Sequence, residues 1–515
     1  MIYRSPYPDV SVPNVSLTEL VLGSAYERGE HAALVDGSTG RVITYRALAD
    51  AVEWTAGGLH RRGFRKGEIA VICSPNRPEF AIAFHAVARL GGTTTTMNPA
   101  LAPAEMARQL DDSQASVAFT VPEIASRLHD AAAEPFREMF CFGEESFAAL
   151  AADGVQAPEV EIAPAEDVVA LPYSSGTTGV AKGVMLTHRN LVANLLQMHP
   201  VDATSDRDTL IAFLPFFHIY GLVIILNLGL LRGATIVTLP RFEMTAALKA
   251  IEHSRVTRLP LVPPLVLRFA RDPNVHAHDL TSIRMVISGA APLSPEIAAE
   301  LTARLGCPLR QGYGMTELSP GSHMQPEEPE LIRPGSVGVL HASTICRLVD
   351  PLTGEDAAPG GPGEIWVRGP QVMKGYLNQP QATAEIITPD GWLRTGDIGT
   401  TDADGNFYIV DRLKELIKYK GFQVPPAELE ALLLAHPAVA DAAVIAVPDE
   451  EAGEIPKAVV VPKHGANVSE QELTVYVAER VAPYKRVRAV EFTAEIPRSP
   501  SGKILRRVLI DRELG

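Results

Sequence analysis

Tyr173-Ser174-Ser175-Gly176-Thr177-Thr178-Gly179-Val180-Ala181-Lys182-Gly183 has the makings of an anion cradle. Its glycines let backbone N–H groups converge on one point, its hydroxyls add donors, and Lys182 supplies a formal positive charge. The stretch follows the β-branched Val168-Val169 and precedes Val184-Met185-Leu186 and a helix capped by Thr187. It is not a GxxxxGK[ST] loop, because Gly183 stands where a Ser or Thr would ligate magnesium. Taken alone, a flexible Gly/Ser/Thr surface loop has the same composition.

Outward from this loop, strand-like and helix-like patterns alternate. A helical pattern runs through Leu48, Val52 and Leu59, an apolar run covers Ile69–Cys73, and a second helix covers 79–90. A helix at 102–110 leads into a strand at 116–120, and Met285–Ser288 reads as a strand. Ser294-Pro295-Glu296 then sets an N-cap with proline at the first helical position, and Gly306 stops that helix. This grammar predicts an α/β fold. From about 350 to 405 it yields to Gly- and Pro-rich turns between short β runs such as 364–368 and 407–410. After Asp411-Arg412-Leu413-Lys414-Glu415-Leu416-Ile417-Lys418-Tyr419-Lys420-Gly421 a compact module begins, with a helix at 427–434, strands near 439–447 and 457–461, and a helix at 470–481. The expected organisation is a large N-terminal domain at 1–411 with several α/β layers and a β subdomain at about 335–410. A junction at 412–421 and a small α+β C-terminal domain at 422–515 follow.

The 515 residues are about three times the common domain size. Basic residues number 46 and acidic ones 61, a net charge of −15, which argues against general binding to nucleic acid or to an anionic membrane. Any phosphate must be met locally. The longest apolar run, 220–231, contains Asn227 and is too short to span a bilayer. Cys73, Cys141, Cys307 and Cys346 show no CxxC spacing, and neither terminus reads as a targeting signal, so a cytoplasmic location is expected.

Three further segments join the loop in order: Gln311-Gly312-Tyr313-Gly314-Met315-Thr316-Glu317, Thr395-Gly396-Asp397, and Pro497-Arg498-Ser499-Pro500-Ser501-Gly502-Lys503. Together they resemble the phosphate, adenine and magnesium, ribose and C-terminal lysine motifs of the adenylate-forming superfamily of acyl-CoA synthetases, luciferases and peptide-synthetase adenylation domains. Phe217-His218-Ile219-Tyr220, Ser288-Gly289-Ala290-Ala291-Pro292-Leu293 and Glu415-Leu416-Ile417-Lys418-Tyr419-Lys420-Gly421-Phe422-Gln423-Val424 are similar to the 4-coumarate:CoA ligase group within it. The resemblance implies an acyl-CoA synthetase-like fold with a mobile C-terminal domain. It also implies two half-reactions: a carboxylate attacks the α-phosphate of ATP to give acyl-AMP and pyrophosphate, and coenzyme A then displaces AMP.

The same resemblance distributes the roles. Ser174, Ser175, Gly176, Thr177, Thr178, Gly179 and Lys182 would hold phosphate. Gln311, Gly312 and Tyr313 would hold adenine, Thr316 would reach phosphate, and Glu317 would hold Mg²⁺, which favours carboxylate oxygen shared with substrate phosphates. Asp397 would accept the ribose hydroxyls with Arg412 in support. Lys503 would be the adenylation cation and His218 would lie beside the incoming carboxylate. Lys414 would sit at the pivot of domain rotation, Lys418 and Gln423 would serve the adenylate and the second step, and Arg241, Lys420 and Gly421 would contact CoA. Residue by residue, ordinary readings compete: a solvated lysine for Lys503 or the junction lysines, a satisfied core histidine for His218, a turn aspartate for Asp397, a surface arginine for Arg241.

The acyl pocket implied by the resemblance is Tyr220, Ile224, Ile287, Gly289, Ala290, Gly314, Pro320 and Gly321, mostly small or apolar, and ordinary core packing competes at each. Plant 4-coumarate ligases carry a lysine immediately before Ser-Gly-Ala-Ala-Pro, and here Ile287 stands in its place. Isoleucine cannot donate a hydrogen bond and Tyr220 compensates only in part, so cinnamate should be used comparably to 4-coumarate. The expected partners are a small carboxylic acid, ATP and CoA, without nucleic acid or membrane. Medium-chain fatty acids are the alternative substrates, a separate carrier protein could take the place of CoA, and a non-catalytic sensor of nucleotide or acyl-adenylate is the alternative of another class.

Overall fold

A computed structural model describes residues 1–174, 181–420, 422–449, 451–499 and 502–514, and among these the strands form four sheets. The first is built on parallel strands Val117–Thr120, Ile69–Cys73 and Thr93–Met97, and continues through Val168–Ala170 and the antiparallel Lys182–Thr187 to an edge at Gly375–Tyr376. The second carries a parallel block ordered Leu309–Gly314, Met285–Ser288, Arg258–Leu261, Thr209–Ala212, Thr235–Thr238 and Ala32–Asp36. Helix Pro78–Arg89 is buried along nearly its whole length, which explains why its sequence is apolar all round rather than striped. Both sheets share one continuous core.

The elements expected from local pattern are present within a few residues at their ends. Ser294 caps helix Pro295–Leu305, accepting from the Ile297 N–H at 3.3 Å, and Gly306 closes it. Thr187 caps His188–Gln197 with Asn190 answering from the third helical position. The apolar run at 220–231 is a buried helix, Tyr220–Asn227 with π geometry followed by Leu228–Arg232, and no helix among the described residues is long and apolar enough to cross a membrane.

The third sheet is antiparallel, with Ile345–Val349, Gly363–Arg368, Leu393–Thr401 and Phe407–Arg412 around its own small core. It also takes up Tyr3–Arg4, paired with Ile345 and Cys346, a long-range partner that local pattern could not reveal. The chain passes to the fourth sheet through residues 413–416, so Ile417–Tyr419 of the expected junction is already strand. Strands Val439–Asp449 and Gly453–Pro462 dominate this last unit, which has separate apolar clusters on its two faces.

Under the second sheet, Arg310 is fully buried and paired with Asp202, with Glu327 3.2 Å away, while Arg258 binds Glu327 at 2.7 Å and Asp208 at 3.2 Å. Burial alone would raise the Asp202 pKa, but Arg310 and Arg258 outweigh it and hold the carboxyl down at about 2. Asp202→Ala leaves Arg310 short of a partner in a dry site and is expected to cost about 3–5 kcal/mol of stability, read from denaturant unfolding. A loss below about 1 kcal/mol would overturn that assignment. Because the folded value lies below the ordinary 3.8, the contribution is present above about pH 4 and lost as pH falls toward 2.

Candidate active site

Adjacent parallel strands of the second sheet point their carboxyl ends at one edge, where α/β sheets bind ligands. Thr209–Ala212 leads to His218, Arg258–Leu261 to Val262 and Pro264, Met285–Ser288 to Gly289 and Ala290, and Leu309–Gly314 to Thr316 and Glu317. Sequence motifs far apart in the chain are thereby collected by the topology.

Ser174 and Lys182 face each other across an antiparallel pair. Ser175, Gly176, Thr177, Thr178 and Gly179 lie outside the described residues, as does Gly421. The Lys182 amine sits 4.9 Å over the Tyr376 ring, and the Tyr376 hydroxyl donates to Glu317 at 2.8 Å. Tyr376 thus fixes both the loop lysine and the buried carboxylate, a role no motif announced. Glu317 is 3 % exposed. With one oxygen taken by Tyr376, its second suits a hard divalent cation that brings phosphate ligands of its own.

The expected nucleotide residues converge. The Tyr313 hydroxyl donates to Asp397 at 2.6 Å, and Arg412, directly across the strand pair from Asp397, approaches its other oxygen at 3.5 Å. Burial raises the Asp397 pKa, with Arg412, Tyr313 and Lys503 opposing in part. Gln311 is buried, its N–H donating to the Gln325 side chain at 2.8 Å. Gly312 and Thr316 lie on the same strand and the short turn after it.

Lys503 reaches this cluster from the C-terminal unit. Burial and then Arg412 push its pKa below the ordinary lysine value, while Asp397, Glu317 and Glu415 pull the other way. Gly502, at φ +83°, lies against the N-terminal unit: a Cβ there would stand 3.1 Å from Pro264 and 3.2 Å from Val262. Ser499 accepts from the Lys503 N–H at 3.1 Å, closing the turn that presents the lysine. Behind it, Arg506 bonds Glu430 at 2.7 Å and pairs with the junction's Glu415.

His218 lines a small cavity with Leu214, Pro215, Tyr220, Gly221 and Val262. Burial, then the Lys503 charge, lowers its pKa to about 3, so it is neutral at pH 7. Its Nδ1 accepts from the Tyr220 N–H at 3.2 Å, which leaves the proton on Nε2 as a donor. The Tyr220 hydroxyl donates to the Ile287 carbonyl at 3.2 Å, so its donor is committed to the backbone and the compensation expected of it is reduced to accepting. Gly289 faces the Tyr220 ring, Ile224 and Ile287 are buried, and Ala290 has φ +72°. Gly314 opposes Gly321 across the hairpin, with Pro320 packed so closely that a Cβ on Gly314 would meet its carbonyl oxygen at 2.0 Å.

The remaining residues are not in this cluster. Lys418 and Gln423 are exposed opposite one another on a hairpin, Lys420 pairs with Glu451, Lys414 is exposed, and Arg241 is exposed beside Phe242. The structure therefore brings together the residues expected of the adenylation step and leaves those expected of the thiol step on the surface.

Two family models match the chain. "AMP-binding enzyme" matches residues 23–377 and "AMP-binding enzyme C-terminal domain" matches 428–503. The sequence is 45% identical to 4-coumarate–CoA ligase 5 of Oryza sativa subsp. japonica, covering 99% of this chain and 96% of the relative. It is 42% identical to 4-coumarate–CoA ligase 1 of Arabidopsis thaliana, covering 99% and 95%. The fold superposes on ATP-bound MatB from Rhodopseudomonas palustris with a TM-score of 0.89 at 30% identity, covering 97% of this chain and 99% of that one. On the anthranilate CoA ligase AuaEII in complex with anthranoyl-AMP the TM-score is 0.90 at 26% identity, with 98% of each chain covered.

Proposed function

Because the chain belongs to the AMP-binding enzyme family, we propose that it activates an aryl acid of the cinnamate or 4-coumarate type with the residues gathered around Lys503. The reaction class is that of an AMP-forming acid–thiol ligase using ATP and CoA. Acid and ATP give acyl-AMP and pyrophosphate; the CoA thiol then attacks the acyl carbon, AMP leaves, and the thiol proton is released.

The observation that carries the residue assignment is the seating of Gly502 on Val262 and Pro264, which sets the half-buried Lys503 of the C-terminal unit in the field of Asp397, Glu317 and Arg412. Acid and triphosphate repel one another, and a cation delivered between them offsets that repulsion in the transition state. The His218 Nε2–H orients the carboxylate so that one oxygen faces the α-phosphate. Ser174, Lys182, Thr316 and the loop residues between hold the phosphates, Tyr313 and Gln311 flank adenine, and Asp397 accepts the ribose hydroxyls with Arg412 beside it. Glu317 would hold Mg²⁺, which supplies charge neutralisation to the phosphate oxygens when bound. After adenylation the C-terminal unit turns about Lys414, withdraws Lys503, and brings Lys418 and Gln423 inward, while Arg241, Lys420 and Gly421 meet CoA. Four unpaired cysteines suit a cytoplasmic setting for this chemistry.

The test is acid-dependent pyrophosphate release with and without CoA, followed by thioester detection across an acid panel. Release and thioester with hydroxycinnamic acids are the expected result. Nucleotide binding without turnover would instead identify a sensor, and thioester on a carrier protein but not on CoA would identify a loading module. The buried Ile224 and Ile287 also suit an alkyl chain, so octanoate in the same panel decides between aryl and medium-chain acids.

A further inference from the structure

His341 follows strand Val339–Leu340, and its N–H donates to the Ser322 carbonyl at 2.9 Å. Its ring is fully buried and lies directly on Gly321: a Cβ at that position would stand 2.7 Å from Cε1 and 3.3 Å from Nδ1. Any side chain larger than hydrogen at 321 would displace the imidazole. Gly321 in turn stands opposite Gly314 across the hairpin.

Polar groups around His341 are occupied with each other. The Asn194 amide holds both the N–H and the carbonyl of Gly321, Gln197 bonds Thr344 and Gln371, Gln371 bonds Thr344, and Ser319 donates to the Gln371 carbonyl. Yet neither ring nitrogen of His341 has a partner among the described residues. Burial, then Arg310, lowers its pKa to about 3, so the ring is neutral and carries one orphaned donor and one orphaned acceptor. Buried polar atoms are normally paired. Of the polar groups nearby, His323 Nε2, on the strand paired with Leu340, also has no partner among the described residues.

We propose that His341 is a specificity residue for the acid: its imidazole closes the far end of the acyl pocket and hydrogen-bonds a hydroxyl on the substrate ring. This rests on the reading of Tyr220, Ile287, Gly314 and Gly321 as walls of that pocket. A hydroxyl both donates and accepts, so it satisfies a neutral imidazole in either tautomer, whereas an unsubstituted ring leaves the nitrogen unpaired. Ile287 alone would make cinnamate and 4-coumarate comparable. His341, just past the strand Val339–Leu340, restores a preference for the hydroxylated acid of about tenfold.

Thioester formation by the full-length enzyme tests this, with kcat/KM measured for 4-coumarate and cinnamate in wild type, His341→Leu, His341→Phe and His341→Asn. Wild type should favour 4-coumarate about tenfold. The leucine and phenylalanine variants should bring the ratio near one through loss on 4-coumarate, and asparagine should keep part of it. Phenylalanine retains the ring and removes both nitrogens, so it carries the test if leucine does not fold. Equal use by wild type, or a wild-type ratio in the apolar variants, overturns the role of His341 and leaves the aryl-acid reading standing. Turnover of octanoate with neither aryl acid overturns both.

Discussion

Lys503→Ala should slow acid-dependent pyrophosphate release by about 10²- to 10³-fold, while thioester formation from supplied acyl-adenylate and CoA survives. A cation about 4 Å from a transferring oxygen contributes on the order of 4 kcal/mol at an effective dielectric near 20, and this chain's net charge of −15 gives no general relief. The selectivity between the half-reactions follows from position. Lys503 is carried by the C-terminal unit and sits in the nucleotide cluster, while Lys418 and Gln423 of the same unit are exposed. Single-turnover assays of each half-reaction separate the two, and equal loss of both would defeat the proposed division of labour. On the proposed role protonated Lys503 is the active form, and burial lowers its pKa, so adenylation should fall as pH rises through a value below the ordinary 10.5. Lys503→Arg keeps its charge to higher pH and should move that limb upward.

Asp397→Ala should lower kcat/KM for ATP by about 10²- to 10³-fold, because hydrogen bonds to a charged acceptor contribute about 1.5–3 kcal/mol each and the ribose offers two hydroxyls. The substitution also strips Tyr313 of its partner at 2.6 Å and leaves Arg412 without the carboxylate opposite it. Much of the loss should appear in KM for ATP, with KM for the acid changed far less. A variant with KM for ATP within threefold of wild type would mean that Asp397 shapes the strand pair rather than binding nucleotide. Comparing ATP with 2′-deoxy-ATP in wild type and variant isolates the ribose contribution: discrimination between them should vanish in the variant.

Local patterns forecast many elements because their causes are local. Ser294-Pro295 fixes the start of a helix and Gly306 its end through the dihedrals and hydrogen bonds of a few neighbouring residues. The segment from Tyr313 to Glu317 stood out by its residue types, and the fold places Tyr313 on Asp397 and Glu317 near Lys503. Tyr376 was not legible. Its importance comes from standing between Lys182 and Glu317, which are 135 residues apart in the chain. The contribution of Tyr3–Arg4 to the third sheet was hidden for the same reason, because a two-residue strand has no periodicity to read.

By itself the sequence determined the α/β class, the order of the elements and the kinds of groups available for two successive reactions, since residue type and short spacing govern these. Tertiary structure alone decided that Lys503 meets Asp397, Glu317 and Arg412, by laying Gly502 on Val262 and Pro264. It also decided that Tyr220 spends its hydroxyl on the Ile287 carbonyl and that His341 is buried against Gly321 with both nitrogens unpaired. Charge, burial and hydrogen-bond satisfaction are sums over neighbours from the whole chain, and only the folded arrangement chooses those neighbours.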